Sequence, residues 1–353
     1  MTTTAFSKNI ITTAATVKEA MARINSLSGD GVMTLLVTDS EGHMAGTLTD
    51  GDVRRALLAG VPLSDSVTRA MNGSFKSLSA GDIDLHALRR FRASGITLIP
   101  VLGPDGTIEG IIDTRHTHTL LPLQALLMAG GKGERLRPLT ADCPKPLLPV
   151  GDRPIIDYNI QALARVGITD VTVTVNYLAH MLEEHFASPV AGINVKCVRE
   201  NAPLGTIGAA SLVELAKGGD TLVMNSDLLT DISLEDMYMH HVAEQADITI
   251  AAVPYTVSVP YAIMDTDGFK VGGLDEKPTY TYYANGGIYI FSNEILASIP
   301  ADTRTDAPDL IGRAIAGGKR VVYFPINGTW IDIGSPADYA HACEIMKLNS
   351  LIR

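Results

Sequence analysis

Residues 127–150, LMAGGKGERLRPLTADCPKPLLPV, decide how the larger part of this 353-residue chain is interpreted. The stretch begins at the end of an apolar run, Leu123 to Ala129, which has the length of a buried strand. Glycines follow at once, and a Gly-rich turn after a strand lets main-chain N–H groups approach a phosphate without obstruction by Cβ atoms. We therefore predict a phosphate-binding loop at residues 130–133.

Two common phosphate loops do not match this stretch. A Walker A loop needs the string GxxxxGK[ST], which does not occur in the chain. The dinucleotide fingerprint needs a third glycine three residues after Gly133, where this chain has Leu136. The functions of a P-loop kinase and of a simple dehydrogenase therefore lose support.

The charge distribution favours a small anionic ligand over a polymeric one. The chain holds 28 Lys+Arg and 39 Asp+Glu, a net charge of −11, which argues against a protein that grips nucleic acid or an anionic membrane. Residues 1–120 hold 11 basic and 12 acidic side chains, so nearly all of the surplus lies in residues 121–353. Five basic residues nevertheless fall within a stretch of 22 residues there: Lys132, Arg135, Arg137, Lys145 and Arg153. A bound polyanion explains such a cluster better than solubility does.

With PKPLLPV at residues 144–150, the loop strongly resembles the signature of the sugar-1-phosphate nucleotidylyltransferases, the nucleotide-sugar pyrophosphorylases. The resemblance implies an α/β fold for residues 121–353, a Rossmann-like catalytic domain of the glycosyltransferase-A type with a mixed, mainly parallel sheet. The periodicity agrees, because an amphipathic helix at Tyr158 to Val166 and a strand at Val171 to Asn176 alternate as such a domain requires.

Further segments follow in the order of that family. Residues 200–206, ENAPLGT, resemble the loop that recognises the nucleobase, and Asp227 and Asp332 match the two carboxylates that hold Mg²⁺. The resemblance implies NTP contacts at Met128, Ala129, Gly130, Gly131, Lys132, Gly133, Glu200, Pro203, Leu204, Gly205 and Thr206. It implies sugar-phosphate contacts at Tyr261, Glu276, Lys277, Asn285 and Gly286.

Two positions depart from the family pattern. Ser226 stands before Asp227 where the family usually has Gly, and we expect a tighter turn that leaves the carboxylate in place. Ala262 follows Tyr261 where the family often has Gly, and its methyl group is expected to crowd the face that contacts the sugar.

The implied reaction is attack by a sugar 1-phosphate oxygen on the α-phosphorus of an NTP, with release of pyrophosphate. A phosphate is an adequate nucleophile, so the site must align two anions and neutralise charge rather than supply a general base. The expected catalytic groups are Arg135 and Lys145, with Mg²⁺ between Asp227 and Asp332. Lys132 and Arg135 would contact the departing pyrophosphate, Lys145 the α-phosphate and Lys277 the attacking phosphate.

Only the resemblance indicates which nucleobase and which sugar phosphate the protein would use. The ENAPLGT loop with MAGG resembles the guanylyl branch and some uridylyl members, and the whole arrangement resembles the glucosamine-1-phosphate guanylyltransferases of legionaminic acid synthesis. We expect GTP and glucosamine 1-phosphate. Transfer from UTP or CTP to another sugar phosphate, to phosphocholine or to a phosphonate stays open, as does a non-catalytic nucleotide-sensing protein.

Residues 1–120 contain an internal repeat with an offset of 64, which carries Gly42 and Gly46 onto Gly106 and Gly110. Each copy is predicted as helix, strand, hairpin, strand and helix, an α+β pattern that resembles a tandem CBS pair, or Bateman module, with copies at about 1–65 and 66–120. The first helix of each copy is predicted from apolar residues at three-residue steps: Met21, Ile24 and Leu27, and Leu85, Leu88 and Phe91.

By this resemblance, Thr49, Asp52 and Arg54 would bind the ribose and phosphate of an adenine or related nucleotide. The second copy has Asp113 and His116 at the matching positions, so we expect one nucleotide at most. The module is expected to regulate the transferase or to form a homodimer or higher homo-oligomer, with packing against the rest of the chain as the alternative.

The cellular location is inferred from what the sequence lacks. Residues 1–10 show no charged head and apolar core of a signal peptide, and no apolar run reaches ~18 residues. Cys143, Cys197 and Cys343 have no metal spacing and are too few for a disulfide framework. We expect a cytoplasmic protein with reduced thiols and no nucleic-acid or membrane partner.

Overall fold

The computed structural model describes residues 7–29, 32–81 and 83–351, and the chain divides into two compact units, Met1–Leu120 and Leu121–Arg353. Residues 1–6 of the segment in which no signal peptide is expected lie outside the described residues. No helix within the described ranges is both long and apolar enough to cross a membrane.

The first unit contains two three-stranded sheets and three α-helices in its described residues. In chain order these elements are β1 Ile10–Thr12, α1 Val17–Ser26, β2 Thr34–Thr38, β3 Met44–Thr49, α2 Asp50–Leu58, β4 Leu78–Ser79, α3 Leu85–Ala93, β5 Leu98–Leu102 and β6 Ile108–Asp113. The strand orders are β1-β2-β3 and β4-β5-β6, and both hairpins are antiparallel.

The two hairpins are related by the predicted offset of 64, which carries β2 onto β5 and β3 onto β6. They pack on each other through Leu36 and Ile111, both buried, with Val32 and Leu98 beside them. The main-chain N–H of Met44 also donates to the Gly106 carbonyl at 3.0 Å. Each copy therefore has its own apolar core, and a third small cluster joins the two hairpins.

Two expectations for this unit were wrong. The buried face of α1 is formed by Val17, Ala20 and Ile24, whereas Met21 is 39% exposed, because a helix returns to one face every three or four residues rather than every three. The second copy also lacks the expected closing helix, since residues 114–116 form a turn and residues 117–122 have no regular secondary structure.

The second unit contains thirteen strands in its described residues, and seven of them form its main sheet. Its strands are β7 Leu123–Met128, β8 Pro149–Val150, β9 Arg153–Pro154, β10 Val171–Val175, β11 Lys196–Arg199, β12 Asp220–Asn225, β13 Leu228–Thr230, β14 Ile248–Ser258, β15 Ile263–Asp267, β16 Lys270–Asp275, β17 Thr279–Ser292, β18 Val321–Pro325 and β19 Trp330–Asp332. Its α-helices are α4 Ile155–Arg165, α5 Ala179–His185, α6 Leu234–Ala243, α7 Asn293–Ala297, α8 Ala307–Ala316 and α9 Pro336–Leu351. Short 3-10 helices lie at Glu134–Leu136, Lys145–Leu147 and Gly208–Leu212, and one lies at Val67–Arg69 in the first unit.

The sheet has the order β11-β10-β7-β12-β17-β14-β18. β7 lies between β10 and β12 and is parallel to both, while β17 is antiparallel to its two neighbours. Four of the six pairings are parallel, which confirms the predicted mixed, mainly parallel sheet. In the register of β7 and β12, Met128 lies opposite Asn225, so both strands end at the same sheet edge.

Helix α4 shows how the spacing of apolar residues decides which face of a helix is buried. Its apolar residues Ile156, Ile160 and Leu163 recur on one face and are fully buried, while charged residues occupy the opposite side. The predicted boundaries for this helix and for β10 differ from the observed ones by only a few residues at each end.

The inner part of β14 and β17 belongs to the sheet, but the outer part continues as a ribbon with β15 and β16. From Tyr255 to Tyr283 most side chains of this ribbon are exposed to solvent. The ribbon therefore has little apolar core of its own, in contrast to the sheet from which it projects.

Candidate active site

The Gly-rich loop follows the buried end of β7 at the edge where parallel strands terminate. Gly130 is in contact with Glu200, since a methyl group at Gly130 would lie 2.5 Å from Oε1 of that side chain. Gly133 has φ +61°, a left-handed conformation that favours glycine, and its main-chain carbonyl accepts a 2.8 Å hydrogen bond from the buried Thr140 hydroxyl. Side chains larger than hydrogen are thus excluded on steric grounds at Gly130 and on conformational grounds at Gly133.

Arg135 is placed by the residues around it. It lies in the 3-10 helix Glu134–Leu136, and Leu136 anchors this turn in the core at 1% exposure. A methyl group at Gly334 would lie 3.3 Å from Nη2 of Arg135, so the guanidinium lies directly over that glycine. Gly334 was not among the residues predicted for the site, although it lies only two residues after Asp332.

Lys145 contacts both predicted metal ligands. It begins a second 3-10 helix, between Pro144 and Pro146, which restrict the backbone around it. Its Nζ forms a close ion pair with Asp227 and lies 3.4 Å from Oδ1 of Asp332. The side chain is 13% exposed, so the ammonium group is shielded from bulk water by the carboxylates and their surroundings.

The two carboxylates come together because the short strands that follow Asp227 and precede Gly334 pair with each other. In β13 and β19, Leu228 lies opposite Asp332, and Ile333 N–H donates to the Asp227 carbonyl at 3.2 Å. Burial raises the pKa of Asp227, and the neighbouring Asp332 charge acts in the same direction, whereas Lys145 opposes the rise.

A divalent cation fits these residues. Oδ1 of Asp227 is buried and has no hydrogen-bond partner among the described residues, so it is an acceptor that a cation could use. In the described ranges no group of three or more His, Cys, Asp or Glu is arranged for a metal. Mg²⁺ commonly takes one or two carboxylates and completes its octahedron with water and substrate phosphates, which matches Asp227 with Asp332.

A cavity of about 340 Å³ brings several predicted residues together. It is lined by Gly131, Gly133, Glu134, Arg135, Leu136, Lys145, Asp227 and Gly334. A larger cavity of about 910 Å³ lies elsewhere in this unit, between α4, β13 and the end of α9, and contains none of the predicted site residues. The smaller cavity is therefore the candidate active site, because loop amides, two cationic side chains and a carboxylate meet there.

The predicted nucleobase loop is firmly held. Glu200 is only 6% exposed, its Oε2 accepts the Leu204 N–H at 3.1 Å, and burial raises the pKa of its carboxyl. Gly205 has φ +84°, and a methyl group there would lie 2.6 Å from the Thr305 carbonyl oxygen. The segment Thr303–Ala307 thus packs against this loop, a contact that sequence reasoning missed because about 100 residues separate the two segments.

The predicted sugar-phosphate residues fall into two groups. Asn285 and Gly286 lie at the inner end of the ribbon, where the Trp330 indole N–H donates to the Gly286 carbonyl at 2.9 Å. Glu276 and Lys277 lie on the exposed ribbon, as does Tyr261, which is 74% exposed. None of these residues lines the 340 Å³ cavity.

In the first unit, the predicted nucleotide residues form the start of α2. The Thr49 hydroxyl accepts the Asp52 N–H at 3.3 Å, and the Asp52 carboxylate accepts the Thr49 N–H at 2.8 Å, which together make a capping box. Arg55 pairs with Asp52 at 2.5 Å, and Arg54 pairs with Asp50. The polar atoms proposed for a ligand are therefore already engaged in hydrogen bonds and ion pairs within the start of α2.

Comparison with known proteins shows to which family the chain is similar. The family model described as "Nucleotidyl transferase" matches residues 124–347. A probable mannose-1-phosphate guanylyltransferase 1 of Oryza sativa subsp. japonica is 33% identical over 228 residues, covering 62% of this chain and 63% of that protein. A mannose-1-phosphate guanyltransferase of Schizosaccharomyces pombe is 32% identical over 228 residues, covering 62% of each chain.

Among solved structures, HddC from Yersinia pseudotuberculosis superposes with a TM-score of 0.50 at 25% identity, covering 63% of this chain and 99% of that one. The aligned part spans about 63% of the length of the rice relative. The family model covers well over half of the present chain, and it includes the Gly-rich loop, Lys145 and both carboxylates. The chain belongs to the nucleotidyl transferase family.

Proposed function

We propose that the chain transfers a nucleotidyl group from an NTP to a sugar 1-phosphate, releasing pyrophosphate and forming a nucleotide sugar. The observation that carries this proposal is the single cavity in which the Gly-rich loop, Arg135, Lys145 and Asp227 meet. Two cationic side chains, the loop amides and the Asp227 carboxylate suit a reaction between two anions, which needs positioning and charge neutralisation more than proton transfer.

In this proposal the loop amides around Gly131 hold the triphosphate, with Lys132 and Arg135 on the departing pyrophosphate. Lys145 leaves its close pairing with Asp227 to contact the α-phosphate when substrate brings competing negative charge. Asp227 and Asp332 would hold Mg²⁺, which supplies Lewis-acid polarisation and a template for the two phosphates. Lys277 and Glu276 bind the sugar 1-phosphate from the ribbon.

We favour GTP as the nucleotide. The relatives named above are guanylyltransferases by name. Glu200 places a carboxylate against the Gly-rich loop, and a carboxylate accepts hydrogen bonds, which suits a base that presents adjacent N–H donors, as guanine does. Glucosamine 1-phosphate is the leading acceptor, and mannose 1-phosphate is the second candidate because of the names of the relatives.

An assay with the full chain tests the proposal. The protein is incubated with Mg²⁺, each of the four common NTPs and each of glucosamine 1-phosphate, mannose 1-phosphate, glucose 1-phosphate and phosphocholine, and pyrophosphate is measured. Release with GTP and a hexose 1-phosphate is expected. Release only with CTP and phosphocholine would replace the substrate assignment, and no release with any pair would favour a non-catalytic nucleotide-binding protein.

For residues 1–120 we propose a regulatory CBS-type module that binds one nucleotide at Thr49, Asp52 and Arg54 and forms a homo-oligomer. A ligand there must displace bonds within the capping box, so ribose hydroxyls are suitable competitors for Thr49 and Asp52. Calorimetry of the full chain and of the Asp52→Asn variant with AMP, ATP and GTP tests this, and equal heats for both would contradict it. A cytoplasmic location without nucleic-acid or membrane partners stays a prediction.

A further inference from the structure

Two hydrogen bonds join the start of helix α8 to the nucleobase loop, residues 200–206, and replace the usual cap within the helix. Asp306 is the N-cap residue of α8, a position whose side chain ordinarily accepts a main-chain N–H of the first helical turn. Its side chain makes no such bond. Instead, Oδ1 of Asp306 accepts the main-chain N–H of Thr206 at 2.9 Å.

Thr206 supplies the cap that Asp306 leaves out. Its hydroxyl oxygen accepts the main-chain N–H of Ala307, the first residue of α8, at 2.8 Å. The opening N–H groups of a helix have no partner within the helix, so this contact satisfies one of them from the loop. We call the pair of hydrogen bonds between Thr206 and the Asp306–Ala307 segment the reciprocal cap.

Main-chain hydrogen bonds lie directly beside the reciprocal cap. Thr305 is 4% exposed, its N–H donates to the Leu204 carbonyl at 2.9 Å, and its carbonyl accepts the N–H groups of Ile207 and Gly208, both at 3.1 Å. The loop is therefore bound to this segment on both sides of Gly205. The position of the loop depends on where α8 begins.

The reciprocal cap also explains why residue 205 is glycine. A methyl group there would lie 2.6 Å from the Thr305 carbonyl oxygen and 2.7 Å from Oδ1 of Asp306. Both are acceptors already used by the loop. A larger residue at position 205 would therefore separate the loop from α8, whatever it did to a bound base.

We propose that Asp306 is a positioning residue for the nucleotide: through the reciprocal cap it sets the position of residues 200–206 against the bound base. This inference rests on the proposed function, in which that loop holds the base. Asp306 acts through Thr206 and does not itself touch substrate. An interaction that orients a binding loop to the same extent before and during reaction changes KM and leaves kcat nearly unaltered.

The hydrogen bond and the charge of Asp306 can be separated. Arg304 lies 3.6 Å from Oδ2 of Asp306, but its side chain is 73% exposed, so this ion pair contributes little. Asp306→Asn keeps an oxygen that can accept from Thr206, whereas Asp306→Ala removes it. The matched control is Asp309→Ala, because Asp309 is an exposed acidic residue in the first turn of α8, and among the described residues its side chain forms no hydrogen bond to the loop.

Steady-state kinetics with GTP varied at saturating sugar 1-phosphate, and calorimetry of GTP binding by the same proteins, test the proposal. Asp306→Ala is expected to raise KM and Kd for GTP about tenfold, the effect of losing one hydrogen bond to a charged acceptor, with kcat within about twofold. Asp306→Asn should show a smaller rise, and Asp309→Ala should match the wild type.

Three outcomes overturn the assignment: a fall in kcat with KM and Kd unchanged in Asp306→Ala, an equal effect of Asp309→Ala, or loss of thermal stability in Asp306→Ala without any change in Kd. A wild-type chain that binds GTP but releases no pyrophosphate contradicts the proposed transfer reaction, and the comparison of Kd values then still decides the role of Asp306. A wild-type chain that binds none of the four common NTPs overturns both.

Discussion

The hydroxyl of Ser226 donates a 2.7 Å hydrogen bond to the main-chain carbonyl of Met128, the last residue of β7. The N–H of Ser226 reaches the same oxygen at 3.3 Å, and the Asn159 side chain donates to the Ser226 carbonyl at 3.2 Å. Ser226 is 3% exposed. The residue before Asp227 is therefore joined to the last residue of the strand that leads into the Gly-rich loop, which links the carboxylate site to the phosphate site.

Replacing Ser226 with Ala should weaken this link without leaving an unpaired buried group, because the Met128 carbonyl keeps the main-chain N–H. We expect the free energy of unfolding to fall by about 1 kcal/mol and pyrophosphate release to fall several-fold. Urea denaturation and the transfer assay measure the two effects. Ser211→Ala is the control, since its hydroxyl donates to Gly208 within a single 3-10 turn, at 2.8 Å. Unchanged turnover in Ser226→Ala would show that the link does not position Asp227.

Replacing Gly334 with Ala should displace Arg135. The new methyl group would lie 3.3 Å from Nη2 and 3.5 Å from Cζ, so the guanidinium must shift by a few tenths of an ångström. A 1 Å misplacement can lower a rate by roughly 10²-fold, and we expect a smaller fall in kcat, about three- to tenfold. Thermal stability should stay near that of the wild type. A variant with normal kcat would mean that the observed guanidinium position is not the active one.

Replacing Gly312 with Ala should stabilise the protein. Gly312 lies inside α8, and a methyl group there would meet no atom within 4 Å. Because glycine in a helix interior is roughly 0.5–1 kcal/mol less favourable than alanine, the free energy of unfolding should rise by about that amount. Thermal denaturation measures it, and turnover should not change. A lower unfolding temperature would contradict the open environment observed at this position.

Replacing Asp227 with Asn should abolish most of the transfer activity while the fold is kept. Asn has nearly the same size but cannot balance the charge of Lys145 or of a divalent cation. We expect turnover to fall by roughly 10²–10³-fold, as for other lost electrostatic contacts, together with a higher Mg²⁺ requirement. Asp231→Asn is the matched control, because Asp231 lies at the other end of the short strand β13 and lines the larger cavity of about 910 Å³. Near-normal turnover in Asp227→Asn would exclude it as a ligand.

Cys197 should react slowly with alkylating reagents at ordinary pH. Burial raises the pKa of this thiol to about 11, and the nearby Glu183 charge acts in the same direction. The thiolate is the reactive form, so at pH 8 only about one in 10³ folded molecules would present it, and the rate should rise up to about pH 11. Residue-resolved mass spectrometry after iodoacetamide treatment measures this rate. Equal rates for Cys197 in folded and urea-unfolded protein would contradict the raised pKa.

The local pattern of the sequence was sufficient to predict β7, α4 and β10 of the second unit. The largely apolar run from Leu123 to Ala129 predicts a buried strand, because a central parallel strand is covered on both faces. The observed strand β7 ends one residue earlier. The first helix of the repeat shows the limit of such patterns. Met21 fits a three-residue step, yet the helix turns it towards solvent.

The site residues also differ in whether the local sequence is enough to identify them. The Gly-rich loop is recognisable from the sequence, because its chemistry depends on consecutive residues and on missing Cβ atoms. Gly334 and Asp306 carry no such local signal, since each matters only through contact with a distant residue. The N-cap position of Asp306 even predicts the wrong partner, because local pairing within α8 is what that residue type ordinarily makes.

The sequence by itself determined which residue types are available, where elements such as β7, α4 and β10 form, and to which family the second unit is similar. Only the tertiary structure decided that Lys145 meets Asp227 and Asp332, which are 82 and 187 residues away along the chain, and that Thr206 pairs with Asp306. The physical reason is that helix and strand patterns express hydrogen bonds and burial among near neighbours. Contacts between distant loops follow from strand order and register, which bring chain ends of separate strands to one edge of the sheet.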